Sequence, residues 1–65
     1  MNPAAEVNEM IGAGLPPVWI SRHSGIDEND VELIADGALT DPNLSVAQRI
    51  HDLYLLFIEI REALR

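Results

Sequence analysis

The chain has no cysteine and no lysine, and it contains very few aromatic residues. Without cysteine, disulfide bonds and zinc sites with thiolate ligands are excluded, and a reducing, cytoplasmic location is expected. The two histidines, His23 and His51, are too few to hold a metal ion unless several carboxylates converge on them. We therefore expect neither a metal site nor a cofactor.

A long apolar run is also missing. The longest apolar stretch, from Leu53 to Ile58, is far too short to span a bilayer. The first residues do not combine a basic region with a following apolar segment, which a secretory signal requires. These absences predict a non-secreted protein that does not bind or cross a membrane.

The length of the chain leaves little room for catalysis. Its 65 residues are enough for a single domain, residues 1–65, close to the lower limit for a self-sufficient core. No catalytic triad, phosphate-binding loop or pair of carboxylates with a plausible pocket is recognisable. His51 and Asp52 are neighbours on a predicted helix and do not face each other, so we expect His51 to be exposed to solvent. The sequence does not predict an enzyme.

Basic residues are scarce and unevenly placed. Eleven acids oppose four arginines, which gives a formal net charge of −7. No basic residue occurs between Ser24 and Gln48, and a polyanion that approaches this stretch is repelled rather than attracted. The acids of the stretch are Asp27, Glu28, Asp30, Glu32, Asp36 and Asp41.

The first two thirds of the chain have the apolar spacing of three helices. Asn2 and Pro3 are a capping residue and a helix-starting proline, and Asp27 is a second capping residue. Gly25 and Gly37 provide the open backbone at which the second and third helices end. The predicted helices are 4–13, 18–23 and 27–36, and a polar loop follows at 38–43.

The last third is predicted to be helical as well. Ser45 is the expected cap, and no glycine or proline follows it, so this region is one long helix or two helices with a slight break. Apolar residues recur there at steps of three and four, at Val46, Ile50, Leu53, Phe57, Ile60 and Leu64.

Several short segments occur in a characteristic order. They are Gly14-Leu15 before the second helix, Ile20 within it, the turn Ser24-Gly25-Ile26, Gly37 after the third helix, Asp41-Pro42-Asn43-Leu44-Ser45 before the fourth, and Ile50-His51-Asp52-Leu53. In these segments, over nearly its whole length, the chain resembles the Cro and phage-repressor (xenobiotic-response-element) family of helix-turn-helix domains. The resemblance implies an all-α domain of five helices, in which the last two are separate or merged into one.

The resemblance also implies a binding surface on the third helix. In this family the helix lies in the major groove of DNA, and its first turn contacts base edges. The corresponding residues here are Asp27, Glu28, Asn29 and Asp30. Glu28 can accept a hydrogen bond from a cytosine amino group, and Asn29 can pair with adenine. Arg22 and His23, at the end of the second helix, either contact phosphates or complement the C-terminus of that helix.

Two functions are consistent with this sequence. The first is a small transcription regulator of phage or mobile-element origin that binds DNA as a dimer. The second is an acidic helix-turn-helix module, such as an antirepressor, an antitoxin or a DNA mimic, that binds a basic protein instead of DNA. The acids of the third helix also have a simple structural explanation, because acids in a first helical turn complement the helix dipole.

The C-terminal region carries more apolar surface than one face of a helix can bury in so small a domain. This excess predicts a homodimer through the C-terminal helix. Trp19, in contrast, is expected to lie half-buried between helices of its own chain. The predicted dimer interface consists of Leu53, Tyr54, Leu56, Phe57 and Ile60.

Overall fold

A computed structural model of the chain describes residues 2–65, which form four helices and contain no strand. The helices are α1 (Pro3–Gly12), α2 (Pro17–Ser24), α3 (Glu28–Ala35) and α4 (Leu44–Ala63). The all-α class is therefore confirmed. The described residues form four helices instead of five, because no glycine or proline interrupts α4 and the last two helices are merged into one, the alternative that the sequence left open.

The first and third helices begin where their capping residues predict. The side chain of Asn2 accepts a hydrogen bond from the Ala5 amide at 3.2 Å, and Pro3 is the first residue of α1. The Asp27 carboxylate accepts one from the Asn29 amide at 3.1 Å. Each bond satisfies an amide that has no partner within its own helix.

The start of α4 differs from the prediction. Asn43, rather than Ser45, is the cap, and its side-chain oxygen accepts a hydrogen bond from the Val46 amide at 2.9 Å. Asparagine caps helices as well as serine does, so the helix begins at Leu44 and Ser45 lies inside its first turn.

A tight corner joins α2 to α3. Gly25 has a φ of 76°, a left-handed conformation that glycine adopts without strain. The Ser24 hydroxyl accepts a hydrogen bond from the Ile26 amide, and the Ser21 hydroxyl donates one to the Ile26 carbonyl. The Arg49 guanidinium, from α4, lies 3.5 Å from the Gly25 carbonyl oxygen. The corner is thus held by two serines of α2 and by the last helix.

Every helix contributes to one small core. Helix α3 packs on α1 and α2, and α4 packs on the same two helices. Helix α4 is about 30 Å long, and the longest dimension of the molecule is 33 Å. Residues 59–65 are exposed, so α4 extends past the core, and none of the helices of residues 2–65 is long and apolar enough to cross a membrane. The core residues are Val7, Met10, Ile20, Ile26, Val31, Ile34, Ile50 and Leu53.

The cap of α4 can be tested with a matched pair of variants. Asn43→Ala removes the hydrogen bond to the Val46 amide and is expected to lower the free energy of unfolding by about 1 kcal/mol. Ser45→Ala, two residues further on, is expected to change it by less than about 0.5 kcal/mol. Urea denaturation followed by circular dichroism measures both, and a larger loss for Ser45→Ala would contradict the assignment.

Candidate binding surfaces

The solvent-exposed side of α3 is acidic along its whole length. Glu28, Glu32 and Asp36 are exposed and follow one another at four-residue steps, so they form a row on one side of the helix. Asp27 and Asn29, two of the predicted binding residues, are exposed as well. We refer to the exposed carboxylates of Asp27, Glu28, Glu32 and Asp36 as the acidic face.

Helix stability explains only the first half of this acidic face. Asp27 caps α3, and Glu28 and the half-buried Asp30 lie in its first turn, where negative charge is favourable. Glu32 lies four residues from both Glu28 and Asp36, a spacing at which like charges repel. Asp36 is the C-terminal cap, at the negative end of the helix dipole. The second half of the acidic face therefore weakens the helix that carries it.

The acidic face is not neutralised within the described part of the chain. Across residues 2–65 the ion pairs are His51 with Glu6 and Arg65 with Glu62, and neither involves α3. Arg22 is exposed in the last turn of α2 and remains available for a contact.

His23 is held by its own helix. Its Nδ1 atom lies 2.9 Å from the Trp19 carbonyl oxygen, and its ring stacks on the Trp19 indole with 4.1 Å between ring centroids. Because a carbonyl only accepts, Nδ1 carries the proton. Trp19 lies near the start of α2, so this contact ties His23 to its own helix and supports neither of the two predicted roles of His23, at the helix C-terminus or on a phosphate.

An apolar groove of about 300 Å³ lies between α2 and the second half of α4. Trp19 is half-buried at its side, as predicted. The side next to α2 is formed by Leu15, Trp19 and His23. The side formed by α4 consists of Leu53, Leu56, Phe57 and Ile60.

The residues of the predicted dimer interface lie in different environments. Leu53 belongs to the core of its own chain and is 6% exposed. Leu56 and Ile60 are 50% and 51% exposed, and with the half-buried Phe57 they line the groove. Tyr54 does not line the groove; its ring lies 6.3 Å from that of Phe57. The structure thus brings four of the five residues together, and the dimer itself stays a prediction.

A polar pair between α1 and α4, which joins a buried carboxylate to a half-buried histidine, was missed from the sequence. Glu6 is 7% exposed, and its Oε2 atom lies 2.6 Å from Nδ1 of His51. The expectation that His51 is exposed to solvent was wrong, because its partner lies 45 residues away and not beside it in the sequence. One signal was present: Glu6 precedes Met10 by four residues and therefore lies at the edge of the apolar stripe of α1.

The pair connects the first helix to the last. Nδ1 of His51 donates to the carboxylate, while Oε1 of Glu6 is buried and has no hydrogen-bond partner within residues 2–65. In that range no three histidine, aspartate or glutamate side chains form a group that could hold a metal ion. Because this carboxylate is removed from water, the hydrogen bond from the imidazole is what stabilises it.

We expect His51→Phe to lower the free energy of unfolding by about 1–3 kcal/mol, because it leaves the Glu6 carboxylate buried without a donor. Adding Glu6→Met to this variant removes the unpaired charge, so the double variant should be more stable than His51→Phe alone. Urea denaturation of wild type, both single variants and the double variant measures the coupling. Strictly additive changes would mean that the two side chains do not interact.

Tyr54 makes a contribution to stability that changes at alkaline pH. Hydrogen bonding to the Glu9 carboxylate, together with partial burial and the charge of Glu9, raises the pKa of Tyr54 above its ordinary value of 10.0. The fold therefore favours the neutral phenol. This contribution to stability is complete below pH 10.0 and is lost as the pH rises through the raised pKa of the folded state.

Titration of the single tyrosine by ultraviolet absorbance should give a pKa above 10.0 in the folded protein. Glu9→Gln should bring that pKa back toward the ordinary value. With no lysine or cysteine in the chain, Tyr54→Phe should remove most of the loss of stability at alkaline pH. A wild-type pKa at or below 10.0 would refute the contact with Glu9.

Comparison of the chain with models of protein families, with curated proteins and with solved structures finds no match. The resemblance to Cro and phage-repressor domains therefore rests on the segments between Gly14 and Leu53, and it remains a prediction.

Proposed function

We propose that this chain is a small helix-turn-helix regulator that works in the cytoplasm and binds a basic surface of another protein through the acidic face of α3. The observation that carries the proposal is the row of Glu28, Glu32 and Asp36, which continues to the end of the helix where it costs stability. Exposed charges that destabilise their own helix are explained most simply by a partner of opposite charge. An antirepressor, an antitoxin or a DNA mimic acts in this way.

Electrostatics argues against DNA as the main partner. If α3 lay in a major groove, its carboxylates would face phosphates across a short distance. Pro16 is the N-cap of α2 and Pro17 is its first residue, and neither has an amide hydrogen to donate to a phosphate. Arg22 and Arg49 are the cations beside the α2–α3 corner, and they supply few of the contacts that DNA affinity requires. A basic protein, in contrast, is attracted over a long range.

Sequence-specific DNA binding is the second candidate, and one observation favours it. Glu28 and Asn29 are both exposed in the first turn of α3, and they offer groups that can pair with cytosine and adenine. Such a regulator would act as a dimer on a palindromic site.

We also propose that the chain forms a homodimer through the C-terminal half of α4. Support comes from Leu56, Ile60 and Leu64, which are large apolar residues exposed on this half of the helix. Exposure of apolar surface to water is unfavourable in a monomer, and association of two copies removes these side chains from water.

Binding can be tested with two variants of equal charge. Glu32→Gln/Asp36→Asn removes two charges from the acidic face, and Asp52→Asn/Glu59→Gln removes two exposed charges from α4. Each protein is titrated with an arginine-rich peptide and passed over mixed genomic DNA fragments at low ionic strength, with sequencing of any bound DNA. We expect no retention on DNA, and about tenfold weaker peptide binding for the α3 variant than for the α4 variant.

The α3 variant should also be about 0.5–1 kcal/mol more stable than wild type in urea denaturation, because it relieves the repulsion along α3. Equal peptide affinities for the two variants would refute the role of the acidic face, since their net charges are identical. Enrichment of a short palindromic DNA site would establish the second candidate and reject the first.

A further inference from the structure

The apolar residues that recur along α4, which we call the seam, extend past the core of the domain. Its residues follow the alternating steps of three and four that allow two helices to pack side by side. The seam is half-buried at Val46 and buried at Ile50 and Leu53, but Ile60 and Leu64 are 51% and 82% exposed. Its second half therefore has no cover within residues 2–65. The seam consists of Val46, Ile50, Leu53, Phe57, Ile60 and Leu64.

The groove lies directly beside this uncovered half. Phe57 and Ile60 belong both to the seam and to the groove, and Trp19 and His23 of α2 form the opposite side. A volume of about 300 Å³ lined almost wholly by apolar side chains fits large aliphatic side chains from another helix. The same molecule thus presents an apolar groove and an apolar helix end that is able to fill one.

The distribution of charge selects a second copy of this chain as the occupant. From Leu53 to Arg65 the acids Glu59 and Glu62 are balanced by two arginines, and α2 carries Arg22 but no acid. The excess of negative charge lies on the rest of the molecule. This region is therefore where two copies of an acidic chain can approach without repulsion, whereas a basic partner is drawn to the acidic face instead.

Reciprocal contact closes the assembly. If the C-terminal end of α4 from one copy enters the groove of its partner, two-fold symmetry places the partner's α4 end in the groove of the first copy. Both grooves and both exposed seams are then covered in one step, and no further copy can add.

We infer that the α2–α4 groove is the binding site for the C-terminal end of α4 from a second copy, with the partner's Ile60 and Leu64 packed against Trp19 and His23. The inference rests on the homodimer proposed above and adds that α2, part of the helix-turn-helix unit, forms half of the contact. A dimer in which α4 packs only on α4 leaves Trp19 unaltered.

Trp19 is the single tryptophan of the chain and reports on the groove directly. A dilution series of the full chain is followed by sedimentation for the oligomeric state and by quenching of tryptophan fluorescence with acrylamide. In the dimer we expect Trp19 to be quenched several-fold less, and to emit at shorter wavelength, than in the diluted monomer.

Neighbouring leucines provide a matched pair of variants. Leu56 lines the groove and Leu55 does not, yet their exposed fractions are 50% and 48%. Leu56→Glu should raise the dissociation constant about 100-fold, because it places a carboxylate in an apolar contact. Leu55→Glu should leave it unchanged. Leu64→Glu gives a second test at a residue that is 82% exposed and has little influence on the fold.

The possible results separate this inference from the proposal on which it rests. Wild type that is monomeric at every concentration overturns both. A dimer that leaves Trp19 equally accessible, or that Leu55→Glu disrupts and Leu56→Glu does not, keeps the homodimer and overturns the groove as its site. Loss of the dimer in Leu56→Glu and Leu64→Glu, with Trp19 exposed again, supports the inference.

Discussion

The small size of the core is the constraint on which the rest of this molecule depends. Eight apolar side chains form it, and each of the four helices of residues 2–65 supplies at least one of them. A core of this size is formed by the packing of the helices on one another, and the groove between α2 and α4 lies at its surface. The binding that we propose takes place on the surface, on the exposed side of α3 and in the groove that α2 and α4 leave between them.

Charge divides that surface into two parts, for which we propose different partners. The acidic face of α3 suits a basic molecule, whereas the balanced region around the groove suits another copy of the same chain. Helix α2 lies between the two parts, because it packs on both α3 and α4. Contact at the groove through Trp19 and His23 therefore acts on the helix that also positions α3. The two binding events then share a structural element and can influence each other.

Much of the fold follows from local rules that operate within a few residues. The caps Asn2 and Asp27 and the left-handed Gly25 and Gly37 are predicted because each one acts on its own turn of the chain. The choice between Asn43 and Ser45 was wrong because both are good caps, and sequence alone does not rank them.

The features of the candidate surfaces that depend on tertiary distance were beyond prediction. The exposed row on α3 follows from helical periodicity, so the acidic face was largely predictable. The groove depends on how far α2 stands from α4, and the contact of Glu6 with His51 depends on the packing of α1 against α4. No spacing along the chain encodes either distance.

The contact between the first and last helices has a consequence for the order of folding. Val7 and Met10 of α1 are covered in part by α4, and the core is complete only when Leu53 is in place. During synthesis only α3 is available to cover the apolar stripe of α1 until most of the chain has emerged. Contacts that join such distant parts of a sequence form late and slow the search for the native state. The corner between α2 and α3 can assemble early, whereas the contacts of α1 with α4 form last.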